Sequence, residues 1–162
     1  MSINRSPAAL AKRFVWQFYH RGGEGAFTRA SSRFDAELQA RLVHLAEVEA
    51  GEVPAIAAYQ DEANWMVLTS HHLRWSQQGI KRQLALADLE GVTPELMKPG
   101  RATFPLHHPI HVGLPLPRIT LLTKEGTLEV ECEPRGPYYG FLNVVLLMAR
   151  MKHPSLRKAA SG

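Results

Sequence analysis

NWMVLTSHHLRW, residues 64–75, sets two short apolar runs on either side of a polar corner, Thr69–His72. The runs are rich in β-branched and aromatic residues, which is typical of strands. Ser and Thr hydroxyls satisfy backbone groups in a tight turn, and they interrupt an apolar run that would otherwise aggregate. The stretch therefore predicts a β-hairpin whose corner turns the chain and carries no chemistry.

The same pattern continues on both sides of this hairpin. Short segments are separated by DEAN, SHH and QQG, and they read EVPAIAAYQ (52–60), WMVLTS (65–70), HLRWSQ (72–77) and IKRQLAL (80–86). Short strands separated by turn residues predict an antiparallel meander.

RITLLTKEGTLEVECE, residues 118–133, predicts a second hairpin. Lys124, Glu125 and Gly126 form the connection, in which glycine supplies a positive φ. In the second strand Leu128, Val130 and Cys132 alternate with Glu129, Glu131 and Glu133. This period of two predicts that the first set faces the core and the glutamates face solvent. We expect Cys132 to be a buried, inert thiol.

Three helices are predicted around these strands. The first covers residues 6–20, with Ser6 as N-cap and Pro7 in the first turn. The second has Ser32 as N-cap and an apolar face from Phe34 to Val48, and it ends at Gly51. The third runs from about Pro137 to Lys152; it is apolar nearly all round and too short to span a bilayer.

Composition favours one soluble domain with a single core. The chain has 162 residues, 45% of them hydrophobic, and one cysteine, so an intrachain disulfide framework is excluded and a reducing compartment, the cytoplasm, is expected. Lys12, Arg13 and Gln17 interrupt the N-terminal apolar residues, so neither a signal peptide nor a membrane span is expected.

Positive charge is concentrated at the two ends of the chain. Residues 1–33 hold six basic groups against Glu24 alone, and residues 150–162 hold four with no acid, while the net charge is only +4. The body between them is therefore mildly acidic. Anionic partners would meet the ends, unless these side chains are simply solvated.

Five segments, in this order, resemble the bacterial pleckstrin-homology-like (PH-like) and GRAM-type domains. They are GE at 51–52, which opens the first strand, VLTSHHLRW at 67–75, LALADLEGV at 84–92, ITLLTKEGTLEV at 119–130 and the helix from YYGFLNVV at 138–145. The resemblance covers about two thirds of the chain. It implies a half-open barrel of antiparallel strands, plugged by the C-terminal helix, that binds lipids, peptides or proteins.

One part of the sequence departs from the phosphoinositide-binding members. In those proteins the loop after the first strand supplies Lys and Arg to the phosphates, whereas here the loop is QDEAN, residues 60–64. Its Asp61 and Glu62 would repel an inositol phosphate. Arg74, Lys81 and Arg82 are instead predicted to be solvent-facing strand residues.

FPLHHPIHVGLPLP, residues 104–117, alternates strictly with a period of two. All four prolines fall on the odd positions, so in an extended chain they remove donors from one edge and leave the other edge able to pair. The apolar face is formed by Phe104, Leu106, Ile110, Val112, Leu114 and Leu116. We call this segment the arm. It either lies as an edge segment over its own core or engages a second chain, which could be a copy or a peptide added as a strand.

Motifs for catalysis or metal binding are weak. His71 and His72 form one cluster and His107, His108 and His111 another, but Pro109 prevents the second cluster from sharing a helix face. No Gly-rich phosphate loop, nucleophile elbow or His-Glu-x-x-His pair occurs. The chain is therefore predicted to be no enzyme and to hold no metal and no cofactor.

Together these patterns predict an α+β chain in three parts. Residues 1–50 form an N-terminal helical pair, residues 51–153 form a PH-like antiparallel half-open β-barrel closed by a C-terminal helix, and residues 154–162 form a disordered basic tail. The predicted role is a non-enzymatic interaction module that acts through protein contacts and self-associates in the cytoplasm.

The alternative is a peripheral membrane adaptor. In this hypothesis FVWQFY of the first helix inserts shallowly into a membrane, and anionic lipid is contacted by Arg5, Lys12, Arg13, Trp16 and Arg21. Nucleic-acid binding by the basic ends is disfavoured because no recognition helix or stacking platform is evident.

Overall fold

The structure, a computed structural model, describes residues 5–94 and 116–152. Within these ranges the chain forms three α-helices and eight strands. The helices are α1 (Pro7–Arg21), α2 (Ala36–Leu45) and α3 (Gly136–Lys152). The strands are β1 (Thr28–Ala30), β2 (Pro54–Asp61), β3 (Asn64–Thr69), β4 (His72–Gln77), β5 (Ile80–Ala85), β6 (Leu89–Pro94), β7 (Arg118–Thr123) and β8 (Gly126–Glu131).

The strands form two antiparallel sheets. The first has the order β1-β2-β3-β4-β5 and the second the order β6-β7-β8. Two-residue connections join β3 to β4 and β7 to β8, at Ser70-His71 and Lys124-Glu125. Gly126, with φ +137°, follows the second connection. The predictions of an α+β fold and an antiparallel meander are confirmed.

The barrel is the part of the fold prediction that stays a prediction. In the described ranges the two sheets share no strand pairing. Side chains from both sheets, from α1 and from α3 nevertheless meet in one hydrophobic cluster, which includes Phe14, Trp75, Ile119, Val130 and Phe141. The core therefore lies between the sheets and under two helices.

Helix α1 begins where the sequence predicts. The Ser6 side chain accepts a hydrogen bond from the Ala9 N–H at 3.2 Å, and Pro7 follows as the first helical residue. Phe14 and Phe18 are buried in the main core. The pattern of apolar residues at four-residue spacing thus marks the face that packs inward.

Helix α2 is shorter than the sequence predicts, and Ser32 is not its N-cap. Residues 31–33 form a short 3-10 turn, and Asp35 caps the helix by accepting the Leu38 N–H at 2.8 Å. The helix ends at Leu45, after which Glu47 adopts a positive φ of +51°. Two capping residues three positions apart compete here, and the carboxylate begins the helix.

The two N-terminal helices lie on different sides of the first sheet. Helix α1 packs against α3 in the main core, whereas Leu42 of α2 and its C-cap Ala46 pack on Ala57, Trp65 and Val67 in a second cluster. Between the helices, β1 pairs with β2. The N-terminal helical pair predicted for residues 1–50 therefore contacts the predicted barrel domain that begins at residue 51. The contacts are made in both hydrophobic clusters and by the pairing of β1 with β2.

Helix α3 crosses α1 at very close range. A Cβ atom at Gly140 would lie 2.7 Å from the Phe18 carbonyl oxygen, and one at Gly22 would overlap the backbone of Gly136. Glycines at this crossing allow the two backbones to approach. None of the helices in the described ranges is long and apolar enough to cross a membrane. The predicted tail at 154–162 lies outside those ranges.

The predicted alternation of the last strand is wrong at Glu133, for which the sequence pattern predicts a solvent-facing position. Cys132 and Val130 are buried, as predicted, but Glu133 is buried as well. Its carboxylate accepts hydrogen bonds from the N–H groups of Ala26 and Phe27, the latter at 3.1 Å. Strand β8 ends at Glu131, so the alternation no longer governs Glu133, whose charge is satisfied by backbone donors from the loop before β1.

Candidate functional site

The polar corner between β3 and β4 is a hydrogen-bonded turn. The Thr69 hydroxyl oxygen accepts the N–H groups of His71 at 3.2 Å and His72 at 2.9 Å. The Ser70 hydroxyl accepts the Val53 N–H at 3.1 Å. The prediction that this corner turns a hairpin is confirmed.

The corner also holds a buried carboxylate, Glu52, that the sequence did not indicate. Thr69 Oγ1 donates to one of its oxygens at 2.9 Å, and His72 Nδ1 contacts the same oxygen. Arg74 donates to the other oxygen at 2.9 Å, and the Glu49 N–H donates to it at 2.8 Å. We call this group the Glu52 cluster.

The four partners keep Glu52 ionised. Burial by itself would raise the pKa of this carboxyl group. The hydrogen bonds from the Glu49 backbone, His72, Arg74 and Thr69 outweigh burial and lower the pKa from 4.5 to about 2. With four donors the carboxylate has no lone pair left for a substrate. The Glu52 cluster therefore fastens the loop after α2 to the β3–β4 hairpin.

Arg74 corrects the prediction that it faces solvent. It is 5% exposed and lies on the side of the sheet that α2 covers, next to Glu52 and 3.8 Å from Glu49. A guanidinium can be buried there because a carboxylate pairs with it and accepts its hydrogen bonds. Lys81 and Arg82, on the neighbouring β5, are exposed as predicted.

The outward face of α1 carries the residues of the membrane hypothesis. Trp16 is 60% exposed and stacks on His20, with ring centroids 4.6 Å apart. Lys12 is exposed one turn before Trp16, Arg5 is exposed just before the helix, and Arg21 is exposed at its C-terminal end. These positions place basic charge around one exposed indole.

One part of the membrane hypothesis needs correction. Arg13 is half-buried, and its contact with lipid stays a prediction. Phe14 and Phe18 are buried against the core, so FVWQFY cannot insert as a unit. Tyr19 is held by hydrogen bonds to Glu24 at 3.0 Å and from the Ala30 N–H at 3.1 Å. Trp16 is the aromatic side chain of this run that is exposed, while Tyr19 is half-buried.

Most of the arm lies outside the described residues. This applies to Phe104, Leu106, Ile110, Val112 and Leu114, and also to His107, His108 and His111. Leu116 is described; it is half-buried and lines a small pocket with Phe27, Trp75 and Glu131. The interpretation of the arm as a contact segment stays a prediction.

Cys132 and the described histidines show no arrangement for chemistry. Burial, with a smaller contribution from the Glu131 charge, raises the pKa of the Cys132 thiol far above its ordinary value. Across residues 5–94 and 116–152, no three or more His, Cys, Asp or Glu side chains converge where they could hold a metal ion. His72 Nδ1 contacts the Glu52 carboxylate, and His71 Nδ1 contacts Ser70 Oγ at 2.7 Å.

Sequence reasoning missed Glu52, Glu133 and the burial of Arg74. One signal for Arg74 was present: it alternates with Leu73 and Trp75, so it had to face the layer opposite the main core. Nothing local indicates that Glu52, 22 residues away, reaches that face.

Comparisons of the chain with protein-family models, with curated proteins and with solved structures find no match.

Proposed function

We propose that this chain is a PH-like interaction module that acts through protein contacts, self-associates, and is not an enzyme. The observation that carries the proposal is the order of its elements. A four-stranded antiparallel run, β2–β5, is followed by the three strands β6–β8 and then by α3, whose apolar side chains enter the core shared by both sheets. This is the order that the resemblance implies, with α3 as the closing helix of a half-open barrel.

The described side chains fit a binding function better than a catalytic one. The carboxylates of Glu52 and Glu133 are occupied by donors of the chain itself, and the Cys132 thiol is buried with a raised pKa. Groups satisfied in this way stabilise the fold and do not transfer protons to a substrate.

Self-association is supported by large apolar side chains at the surface. Trp16 on α1 is 60% exposed, Ile80 on β5 is 59% exposed, and Tyr139 on α3 is 44% exposed. Contact with a second chain would remove this apolar area from water. The arm adds an apolar face by its sequence pattern.

A peripheral membrane adaptor is the second candidate, and Trp16 favours it. Helix α1 contains Lys12, Arg13 and Arg21 and no acidic residue, and an exposed indole beside basic charge suits the interface of an anionic membrane. With Phe14 and Phe18 buried, this adaptor would insert one ring and bind mainly through charge. Both candidates place the protein in the cytoplasm, the second at a membrane surface.

The two candidates differ in their response to salt. We would measure molar mass by light scattering, and flotation with neutral and with anionic vesicles, each at low and high ionic strength. The module should exceed the monomer mass of 18.1 kDa, keep that mass at high salt and not float. The adaptor should float only with anionic vesicles and lose that binding at high salt.

Single substitutions test whether self-association depends on the arm and whether flotation depends on α1. Leu114→Asp should lower the molar mass if the arm mediates self-association, and Trp16→Ala should abolish flotation if α1 contacts lipid. Glu62→Gln, at an exposed surface site, is the control. A monomer of 18.1 kDa at all concentrations would overturn self-association.

A further inference from the structure

Strand β5 is an edge strand of the first sheet among residues 5–94 and 116–152. In the described ranges it pairs with β4 alone. Gln77 pairs with Ile80 across a two-residue turn, so Ile80, Arg82 and Leu84 direct their backbone N–H and C=O groups toward β4. Lys81 and Gln83 therefore direct theirs away from the sheet, where an added strand would pair with them.

An apolar groove runs beside this edge. It lies between β5 and α2 and is lined mainly by Val43, Leu45 and Val48, together with Lys81. Val43 is an exposed apolar residue of α2. Lys81 shares the α2 side of the sheet, because Gln83 pairs with Arg74 and Arg74 lies on that side. One face of an added strand would thus lie on the same side of the sheet as this groove, next to Lys81.

The charged side chains of β5 itself have one sign. Residues 63–87 contain no Asp or Glu, while Lys81 and Arg82 are exposed in the middle of β5. Among the described residues neither has an ion-pair partner. Glu47, just after α2, is the acidic residue that lines the groove, and Asp88 and Glu125 line a second pocket with Gln83 and Leu84. An acidic strand would therefore be attracted to β5, and a basic one repelled.

We propose that the β5 edge binds an extended acidic segment of a partner protein as an added strand. The proposal rests on the proposed interaction function and specifies the chemistry of the partner. Apolar side chains on one face of that segment lie on the α2 side of the sheet with Lys81, and the carboxylates on its opposite face lie beside Arg82. A second copy of β5 is the poorer occupant, because antiparallel pairing of two copies brings like charges together.

The test uses the full chain and a fluorescein-labelled octapeptide of alternating glutamate and valine. Fluorescence anisotropy should show saturable binding, and an octapeptide of alternating lysine and valine should not bind. Arg82→Glu should weaken binding about tenfold, since the attraction between Arg82 and the peptide carboxylates becomes a repulsion. Circular dichroism checks that each variant is folded.

Gln83 offers a matched pair of variants. Gln83→Pro removes an N–H group that points away from β4, so the hairpin keeps its own pairing while the added strand loses a donor. Gln83→Ala keeps that donor. Binding lost in Gln83→Pro and Arg82→Glu but kept in Gln83→Ala supports the proposal, and Arg82→Glu carries the test if the proline variant fails to fold.

Three results would overturn the proposal. The first is that the glutamate peptide does not bind, and the second is that both Gln83→Pro and Arg82→Glu leave its binding unchanged. The third result is a lower molar mass for Gln83→Pro, which would show that the β5 edge pairs with a second copy of the chain. Light scattering on the same samples measures self-association independently of peptide binding, so failure of this inference can be told apart from failure of the proposed function. A chain that self-associates yet ignores the peptide loses this inference and keeps the interaction function.

Discussion

Glu52 is a carboxylate that can be buried only because four donors surround it. Its partners lie in three separate parts of the chain: the backbone of Glu49, the corner residues Thr69 and His72, and Arg74 on β4. Removing the charge of Glu52 would leave the buried Arg74 guanidinium with the exposed Glu49, 3.8 Å away, in place of its hydrogen-bonded carboxylate, and such a loss is costly in a protein interior.

We therefore expect Glu52→Gln to lower the free energy of unfolding by roughly 3–5 kcal/mol, the usual cost of breaking a buried ion pair. Glu62→Gln is the matched control, because Glu62 pairs with Arg41 at 2.9 Å on the exposed surface. Its loss should cost less than about 1 kcal/mol. Urea titration followed by circular dichroism measures both, and equal losses would contradict a stabilising role for the Glu52 cluster.

The same carboxylate predicts how stability depends on pH. Folding lowers the pKa of Glu52 from 4.5 to about 2, so its contribution is fully present above pH 4.5 and is lost as the pH falls toward 2. The difference in unfolding free energy between the wild type and Glu52→Gln should therefore shrink between about pH 5 and pH 3. A difference that stays constant over this interval would show that the charge of Glu52 is not what stabilises the corner.

At the scale of elements, the crossing of α1 and α3 depends on residues without side chains. At Gly140 a methyl group would lie 2.7 Å from both the Phe18 ring and its carbonyl oxygen. Gly136, one turn earlier, has its nearest neighbour at 3.4 Å, which is ordinary contact. The two glycines thus share a helix and differ in the space around them.

Gly140→Ala should lower the free energy of unfolding by about 1–3 kcal/mol, because the helices must separate to admit the methyl group. Gly136→Ala should leave stability unchanged or raise it slightly, since alanine is the better helix former. Thermal unfolding of both variants followed by circular dichroism checks the pair. A stabilised Gly140→Ala would mean that the helices do not cross this closely.

At the scale of the whole molecule, residues 1–50 contribute to both hydrophobic clusters. Phe14 and Phe18 lie in the main core, Leu42 and Ala46 cover the other face of the first sheet, and β1 pairs with β2. A chain of residues 51–162 would expose both surfaces to water.

We expect that shortened chain to lack a cooperative unfolding transition and to aggregate, whereas a chain ending at Lys152 should unfold like the wild type. Scanning calorimetry and amide spectra by NMR distinguish the two outcomes. A shortened chain of residues 51–162 with a dispersed spectrum and a sharp transition would instead establish residues 1–50 as a separate appendage.

The sequence by itself determined the local elements. Ser6 and Pro7 began α1, the alternation in β3 and β4 and the polar Thr69–His72 corner made a hairpin, and the inward position of Cys132 followed from a period of two. Each of these depends on residues within a few positions of one another, where hydrogen-bonding and rotational preferences act directly. One local error, Ser32 in place of Asp35 as the N-cap of α2, arose where two capping residues competed.

Only the tertiary structure decided which charges are buried and which helical faces remain at the surface. Glu133 meets the backbone of Ala26 across 107 positions of sequence, and Glu52 meets Arg74 across 22. Trp16 stays exposed while Phe14 and Phe18 are buried, because α3 covers one side of α1 and leaves the other to solvent. A charge is buried when distant segments supply its partners, and that pairing is fixed by the packing of the layers and not by neighbours in the chain.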